Sequence, residues 1–272
     1  MALLNSFNSG VAGIKTFSKS LEVIGDNIAN VNTTGFKGSR VTNQDSFSQT
    51  LKYSTAGDGD VGGTNAMQIG SGSSVASISQ QFTQGALTTT GSPADLGISG
   101  NGFFQVIDPS DSSTYVTRAG DFRVDDQGFL VTNQGFRVQG DGGDIQLTLK
   151  GGGTQELLSY SISPKGEVRE YYSDGTSEIT NTIFLQEFQN PNALMRASNN
   201  LFTNLEAAGP VEPAQAGTVG LGQVIQGSLE LSNVDLTQQF SDLIVAQRAF
   251  QANSRVITVS DSVMDEVVNL KR

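Results

Sequence analysis

GDNIANVNTTGFKGSR, residues Gly25 to Arg40, follows a segment of helical apolar periodicity with a run of Asn, Asp, Thr and Gly. Asn and Asp compete with a helix because their side chains bond nearby backbone groups, and Thr favours extended backbone. Gly35 can adopt a left-handed or otherwise special conformation, and Phe36 can anchor the emerging chain. A catalytic loop and a metal site are alternatives for so polar a stretch. The favoured interpretation is a helix end that turns the chain into an extended segment.

The first thirty residues, upstream of this stretch, show heptad spacing of apolar side chains. Polar residues such as Lys15, Lys19 and Glu22 fall off the apolar positions, as expected for one helix with one apolar face. The pattern predicts an amphipathic helix with a single apolar stripe. Its predicted interface residues are Phe7, Val11, Ile14, Phe17, Leu21, Ile24 and Ile28.

The C-terminal residues show the same spacing. Asp235 is placed to cap the N-terminal end of a second helix. A single helix of this kind would be an ordinary core-facing helix. Two of them at opposite ends of the chain, flanking a region of different character, predict a coiled-coil-like pair. The second predicted stripe, with residues seven apart, comprises Leu236, Leu243, Phe250, Ile257 and Met264.

Between the helices the apolar period changes to two, with short alternating segments separated by Gly-containing turns such as Asp126-Gln-Gly128 and Asn133-Gln-Gly135. Such a pattern predicts antiparallel hairpins. Two stretches rich in Gly, Ser and Thr, Ser54–Gly72 and Ala207–Gly222, favour connectors. The predicted fold class is therefore α+β. The predicted domains are a helical domain of 1–32 and 236–272, extended connectors over 33–74 and 206–235, and a β-rich domain over 75–205.

Composition excludes several classes of function. The 272 residues contain no Cys and no His, which removes thiol and imidazole chemistry and most zinc, copper and haem sites. The net charge of −11 argues against nucleic-acid binding, which needs a basic surface. No apolar run approaches the roughly 20 residues that cross a bilayer, and no removable signal peptide is visible. We expect no nucleic-acid partner and no membrane insertion.

Carboxylate pairs are the remaining candidates for chemistry. Asp125-Asp126 and Asp58-Gly-Asp60 lie beside glycines, where Asp is typical of turns. Asp58 and Asp60, like Asp141 and Asp144, lack the loop spacing and closing Glu of a calcium-binding EF-hand. The Gly-rich stretches GSGSS and GNG lack the strand-to-helix context and the Lys of a phosphate-binding loop. We predict no catalytic residue, no cofactor and no metal site.

Three separated motifs resemble the rod and hook family of flagellar axial proteins. They are LEVIGDNIANVNTTGFKGSRV from Leu21, ADLGISGNGFFQV with TRAGDFRVDDQGFLVTNQGFRVQG in the middle, and SLELSNVDLTQQFSDLIVAQRAFQANSRVITVSDSVMDEVVNL from Ser228. The positions that carry the resemblance are Asn27, Asn30, Asn32, Thr34, Gly35, Phe36, Glu230, Ser232, Asn233, Val234, Asp235, Leu236, Ala246, Gln247, Arg248 and Asn253.

The resemblance implies a self-assembling protein, with paired terminal helices lining a tube and a β domain outside. It implies a homopolymer that contacts the distal rod protein, the hook cap and hook–filament junction proteins, and the flagellar export apparatus. It also implies an extracellular flagellar location, reached by type III export without signal cleavage. The motifs VNTTGFKGSRV and TRAGDF are closest to short Gram-positive-type hook proteins, while the chain length keeps the distal rod as the alternative. A secreted glycan-active enzyme and an adhesin-like module are competing hypotheses, but neither requires apolar stripes at both chain ends.

Overall fold

A computed structural model describes residues 2–56, 62–148, 157–218 and 220–269, with side chains described from residue 5 onward. The chain forms two compact units. Unit 1 comprises Met1–Ala29, Ser39–Gln80 and Asp235–Arg272, and unit 2 comprises Asn30–Gly38 and Gln81–Val234. The chain therefore passes from one unit to the other four times.

Two long helices dominate unit 1, α1 (Ala2–Ala29) and α2 (Leu236–Asn269). They pack against each other in antiparallel fashion, since Gly10 lies beside Ile257 while Asn27 bonds Gln239 near the opposite end of α2. Asp235 caps α2 as predicted, because its Oδ1 accepts a hydrogen bond of 2.8 Å from the Thr237 amide.

Unit 1 also contains two strand pairs. The first strand pairs antiparallel with the fourth, and the second pairs antiparallel with the third. These strands are β1 (Ser39–Asp45), β2 (Ser48–Lys52), β3 (Met67–Gly70) and β4 (Ser73–Gln80).

Unit 2 is built from antiparallel strands in one large sheet, one three-stranded sheet and two further pairs. The strands are β5 (Leu87–Thr89), β6 (Leu96–Ser99), β7 (Phe103–Ile107), β8 (Thr114–Thr117), β9 (Arg123–Val124), β10 (Leu130–Val131), β11 (Arg137–Gly140), β12 (Gly143–Asp144), β13 (Leu157–Ile162), β14 (Glu167–Tyr172), β15 (Ser177–Thr182), β16 (Phe184–Gln186), β17 (Met195–Arg196), β18 (Leu201–Thr203), β19 (Ala214–Gln215), β20 (Gln223–Gln226) and β21 (Ser228–Glu230). Short 3-10 helices cover Pro191–Ala193 and Glu206–Ala208.

The large sheet runs in the order β17-β18-β8-β7-β11-β10-β9, and β16 pairs with β7 at a branch. Strands β13, β14 and β15 form the three-stranded sheet, while β20 pairs with β6 and β21 pairs with β5. The β20–β6 and β21–β5 pairs place the C-terminal strands of unit 2 beside its N-terminal strands. The predicted α+β class is confirmed.

The hydrophobic core lies in unit 2. Its main cluster is made of side chains that face inward from the sheets, and a second cluster is rich in phenylalanine. Within that second cluster, the rings of Phe82, Phe103, Phe188 and Phe202 meet at centroid distances of 5.6–5.9 Å. Edge-on contacts of this kind add to the stability gained from apolar burial.

Unit 1 contrasts with unit 2 in its burial. Among the described residues, Ala246 is the only buried hydrophobic residue of unit 1. Of the 23 exposed large hydrophobic residues in the described part of the chain, sixteen belong to unit 1. Unit 1 therefore pairs its helices without burying a large apolar side chain.

The segments expected to be extended connectors form paired strands. Residues 33–74 include β1, β2 and β3, and residues 206–235 include β19, β20 and β21. Gly- and Ser-rich composition concealed the pairing: β20 and β21 pair with strands far away along the chain, and β1 to β3 are mostly exposed, without apolar alternation. The predicted connectors also include residues 57–61 and 219, which lie outside the described residues.

Candidate functional site

The opening motif is held inside unit 2 by its backbone. Residues 30–38, called here the motif segment, follow the end of α1 at Ala29. The Gly35 amide donates to the Glu230 carbonyl at 2.8 Å, and the Gln81 amide donates to the Gly38 carbonyl at 2.8 Å. The motif segment is thus bound by two stretches that lie far from it in sequence.

Asn233 joins the same three stretches with its side-chain amide. Its Oδ1 accepts from the Gly38 amide at 2.8 Å. Its Nδ2 donates to the Gln81 carbonyl at 2.7 Å and to the Thr83 hydroxyl at 2.8 Å. A single asparagine therefore satisfies backbone groups of two separate segments, which explains why an amide is suited to this position.

Three buried charges lie at this junction. Lys37 Nζ is 2.8 Å from Glu230 Oε1, and Arg118 Nη1 is 3.4 Å from Glu230 Oε2. The side chains of Lys37, Arg118 and Glu230 are 1%, 4% and 0% exposed. We call these three residues the ion cluster. It contains two cations and one anion, each from a different one of the three sequence motifs.

Backbone groups satisfy part of the ion cluster, while Arg118 Nη1 and Glu230 Oε2 face each other without a hydrogen bond. Lys37 Nζ donates to the Thr83 carbonyl at 2.8 Å, and Arg118 Nη2 donates to the Gly100 carbonyl at 2.6 Å. Glu230 Oε1 accepts from the Gly85 amide at 2.9 Å. These bonds partly offset the large desolvation penalty of burying ions.

Burial lowers the pKa of the Lys37 ammonium, and the facing Glu230 carboxylate opposes the shift. Burial likewise lowers the pKa of Arg118, again opposed by Glu230. Removing one partner of such a buried pair typically costs about 3–5 kcal/mol, because the other charge is left uncompensated.

Gly35 and Phe36 fix the motif segment sterically. Gly35 has a φ of +67°, and a Cβ there would lie 2.5 Å from the Ala119 amide nitrogen. The special conformation expected of this glycine is confirmed. Phe36 is 1% exposed, and the Arg196 guanidinium lies 4.3 Å from its ring centroid. Phe36 therefore anchors the segment as the sequence predicted.

The remaining polar residues of the motif segment line a cleft of about 570 Å³ in unit 2. Thr34 is held there by its carbonyl, which accepts from Asn200 Nδ2 at 2.7 Å. Asp121 also lines this cleft, and burial raises the pKa of its carboxyl group. The lining includes Asn30, Asn32, Thr33, Thr34, Thr117, Asp121, Arg196, Asn199 and Asn200.

Other motif residues lie in unit 1. Asn27 is 3% exposed and bonds Ser39 through both polar ends of its amide, at 2.8 and 2.9 Å. Asn253 donates to the Ala249 carbonyl at 2.9 Å and lies against Gly13 of α1. Gln247 and Arg248 are exposed on α2, so the structure does not bring them to the junction.

The predicted assembly stripes divide by exposure. Three of their members are exposed: Phe7, Leu236 and Met264. The others are half-buried within unit 1: Val11, Ile14, Phe17, Leu21, Ile24, Ile28, Leu243, Phe250 and Ile257. Further exposed apolar residues on α2 were not among the predicted interface residues, namely Phe240, Ile244, Val245, Val256, Val259, Val267 and Val268.

The junction is suited to holding chain segments together.

Asp125 belongs to the turn after β9, where its amide donates a hydrogen bond to the Phe129 carbonyl at 2.9 Å. Within the described residues, no group of three or more acidic side chains could hold a metal ion. Asp58 and Asp60 lie outside the described residues. None of the helices, over their described lengths, is sufficiently long and apolar to span a bilayer.

Sequence reasoning missed the roles of Lys37 and Arg118. Both lie inside motifs that were recognised, and Glu230 was recognised as a matching position, but the pairing was not foreseen. A lysine next to a glycine in a polar stretch has the local appearance of a surface residue. The one sequence signal for this pairing was that each of the three motifs contributes a charged residue: Lys37 and Arg118 are basic, and Glu230 is acidic.

Three sequence families match the chain. Residues 7–37 match "Flagella basal body rod protein", residues 97–170 match "Flagellar hook protein FlgE/F/G D1 domain", and residues 225–270 match "Flagellar basal body rod FlgEFG protein C-terminal". These matches cover residues 30–37 of the motif segment, strands β7 to β12 of the large sheet with Arg118, and Glu230 with α2.

Whole-length relatives give the same result. The chain is 43% identical over 272 residues to the flagellar basal-body rod protein FlgG of Bacillus subtilis, covering 99% of this chain and 100% of the relative. It is 34% identical to FlgG of Caulobacter vibrioides, covering 98% and 100%. It is 26% identical to the flagellar hook protein FlgE of Borreliella burgdorferi over an alignment of 443 residues, covering 99% and 100%. The resemblance seen in the motifs is thus confirmed, and the chain belongs to the rod and hook family of flagellar axial proteins.

Proposed function

We propose that the chain is a structural subunit that polymerises into a hollow tube of the flagellar axis and transmits torque. The observation that carries the proposal is the lack of a core in unit 1, where Ala246 is the only buried hydrophobic among the described residues. Helices in proteins gain most of their stability from packing of an apolar face. Large exposed apolar surfaces mark interaction sites. Neighbouring copies would supply the missing packing.

The contact surface is proposed to lie on α2 and on the exposed members of the predicted stripes. Phe240, Ile244 and Val259 are 51%, 56% and 61% exposed on α2. Phe7, Leu236 and Met264 extend the apolar surface along unit 1. The half-buried stripe residues would become fully buried in the polymer. A contact between two different surfaces, repeated by a rotation that does not close, produces a helical filament.

We propose that the chain belongs to the hook segment of the flagellar axis. A curved rotating tube needs outer contacts that break and re-form at low cost. Among the described residues, unit 2 has seven exposed large hydrophobic side chains and unit 1 has sixteen. Its Arg137–Asp144 pair is about one-third exposed, and exposed pairs contribute only about 0–1 kcal/mol. The motif likeness to short hook proteins also supports this assignment, which places the chain outside the cell.

The distal rod is the second candidate, and the comparisons favour it. The relatives that match over the full length with little change in length carry the name of a rod protein. The hook relative requires an alignment of 443 residues, far longer than this chain. A rod would need outer contacts that lock, and it would end inside the cell envelope.

Electron microscopy of a strain that lacks the gene separates the two candidates. The hook assignment requires basal bodies with a complete rod but no hook or filament. The purified polymer should then be a curved tube whose shape responds to salt. Cells that lose the distal rod, or straight tubes that ignore salt, would assign the chain to the rod.

Polymerisation itself is tested with polar substitutions on α2. Phe240→Ser together with Ile244→Ser should abolish pelleting of polymer in sedimentation assays while leaving the thermal unfolding of unit 2 unchanged. The matched control is Leu158→Ser, which removes a side chain that is 71% exposed in unit 2. Normal polymerisation of the α2 variant would refute the proposed contact surface.

A further inference from the structure

We propose that Glu230 is a late counter-ion that locks the motif segment into unit 2 only after the chain has been completed to residue 234. Before Glu230 is in place, the motif segment stays undocked even if the sheet around β7 and β8 has formed. The ion cluster thus makes the folding of residues 30–38 depend on residues 228–234. This inference concerns how the subunit folds and does not depend on which tube it builds.

The first step of the argument is the balance of charge. Lys37 and Arg118 are both cations and both nearly completely buried. Glu230 is the only anion paired with them among the described residues. Without it, docking would bury two like charges together, which is strongly unfavourable. The lowered pKa values of the two cations reflect the same desolvation.

The second step is the position of the partners along the chain. Lys37 and Glu230 are 193 residues apart. Two of the backbone bonds that hold the motif segment go to the same late stretch, from the Gly35 amide to the Glu230 carbonyl and from the Gly38 amide to Asn233 Oδ1. The two cations and these two amides therefore all depend on residues 228–234 for a partner.

The third step is steric. Gly35 lies against the backbone of Ala119, next to Arg118 in sequence. Docking of the motif segment therefore brings its backbone against the very stretch that carries the second cation. Bulk water does not reach the Lys37 and Arg118 side chains, which are 1% and 4% exposed, so it screens their charges little. Glu230 is the group that makes the approach favourable.

Amide hydrogen exchange on the full-length monomer tests the dependence. Glu230→Gln keeps the shape of the side chain and removes its charge. We expect exchange at Gly35 and Gly38 to accelerate by at least about tenfold, the factor that a loss of 1.4 kcal/mol produces. Exchange in β7 and β8 should change far less. Unchanged exchange at both glycines, or an equal acceleration throughout unit 2, would overturn the proposal.

The matched control is Asp144→Asn, which removes the acid of the exposed pair with Arg137 in the same unit. This variant should leave exchange at Gly35 and Gly38 unaltered. Adding Lys37→Met to Glu230→Gln removes one of the two uncompensated cations, so it should restore part of the protection. If Lys37→Met brings no recovery, the cluster acts through shape and not through charge, and the proposal fails.

Pulse-labelled exchange during refolding of the unaltered protein gives a second test, which holds even if Glu230→Gln does not fold. Amides of the motif segment should become protected together with those of residues 228–234, and not before those of β7 and β8. Protection of the motif segment ahead of residues 228–234 would overturn the proposed order.

Discussion

Gly35 meets two separate requirements at one position. Its φ of +67° lies in the left-handed region, and the space where a Cβ would sit is filled by the backbone of Ala119. Backbone cannot rotate away as the end of a long side chain can. The glycine is therefore required both by conformation and by close approach, and substitution incurs both costs.

Gly35→Ala is expected to destabilise unit 2 by about 2–5 kcal/mol, combining left-handed strain with overpacking. The matched control is Gly135→Ala, which also has a positive φ but has no atoms near its Cβ position. That variant should cost only about 1–2 kcal/mol. Urea unfolding monitored by tyrosine fluorescence measures both values. Equal costs would show that Ala119 yields and that close approach is not limiting.

Asp121 gives unit 2 a dependence on pH. Burial raises the pKa of its carboxyl group above 3.8, the nearby Asp95 adds to the rise, and a hydrogen bond from Asn133 opposes it. Because the folded pKa is higher than the unfolded one, the folded state binds more protons in the window just above pH 3.8. This group therefore contributes stability below that pH, and the contribution is lost as pH rises through the folded pKa.

Asp121→Asn should remove this dependence. An amide oxygen can still accept the hydrogen bond that Asn133 donates to Asp121 at 2.5 Å. We expect the variant to gain thermal stability relative to the original protein at pH 7 and to gain less at pH 3.5. Melting temperatures of both proteins across this range provide the measurement. A difference that stays constant with pH would contradict the assigned direction.

At the scale of elements, the sequence predicted the helix ends and turns that neighbouring residues determine. The end of α1 in the Asn-rich stretch, the cap at Asp235 and the Gly turns between hairpins all follow from neighbouring residues. The ion cluster could not be predicted, because Lys37 and Glu230 meet across 193 residues. Strands β1 to β3 were not predicted because their residues are mostly exposed, so no apolar alternation marks them.

Two glycines of α1 offer a test of helix pairing. A Cβ at Gly13 would lie 2.8 Å from the Asn253 side chain, whereas at Gly25 nothing lies within 4 Å. Gly25→Ala should stabilise α1 by about 1 kcal/mol, the ordinary difference in helix propensity. Gly13→Ala should lose this gain because Asn253 must abandon its bond to Ala249. Thermal melts at 222 nm compare the two, and an equal gain would show that the helices separate freely at Gly13.

At the scale of the whole molecule, stability is expected to be distributed unequally. Unit 2 contains both hydrophobic clusters, and unit 1 contains neither. Regions with few buried apolar contacts open at low free energy. The monomer should thus behave as a stable β-rich unit joined to helices that open readily.

Limited proteolysis of the monomer should cut first within residues 2–29 and 240–269, and leave a resistant fragment that covers residues 81–234. The same sites should become resistant in the polymer, because neighbouring helices would cover them. Mass spectrometry of the fragments gives the order of cleavage. Early cleavage inside unit 2, or identical cleavage of monomer and polymer, would contradict the unequal distribution.

The hairpin turns of unit 2 also bear on how such molecules can diversify. At Gly142 and Gly175, nothing lies within 4 Å of the position where a Cβ would sit. Exposed turn tips of this kind tolerate inserted sequence. A lineage could graft an entire domain onto either turn while α1, α2 and the ion cluster keep their sequences, because each of these is specified elsewhere along the chain. The helices and the ion cluster can therefore keep their ancestral sequences while the exposed turns change independently.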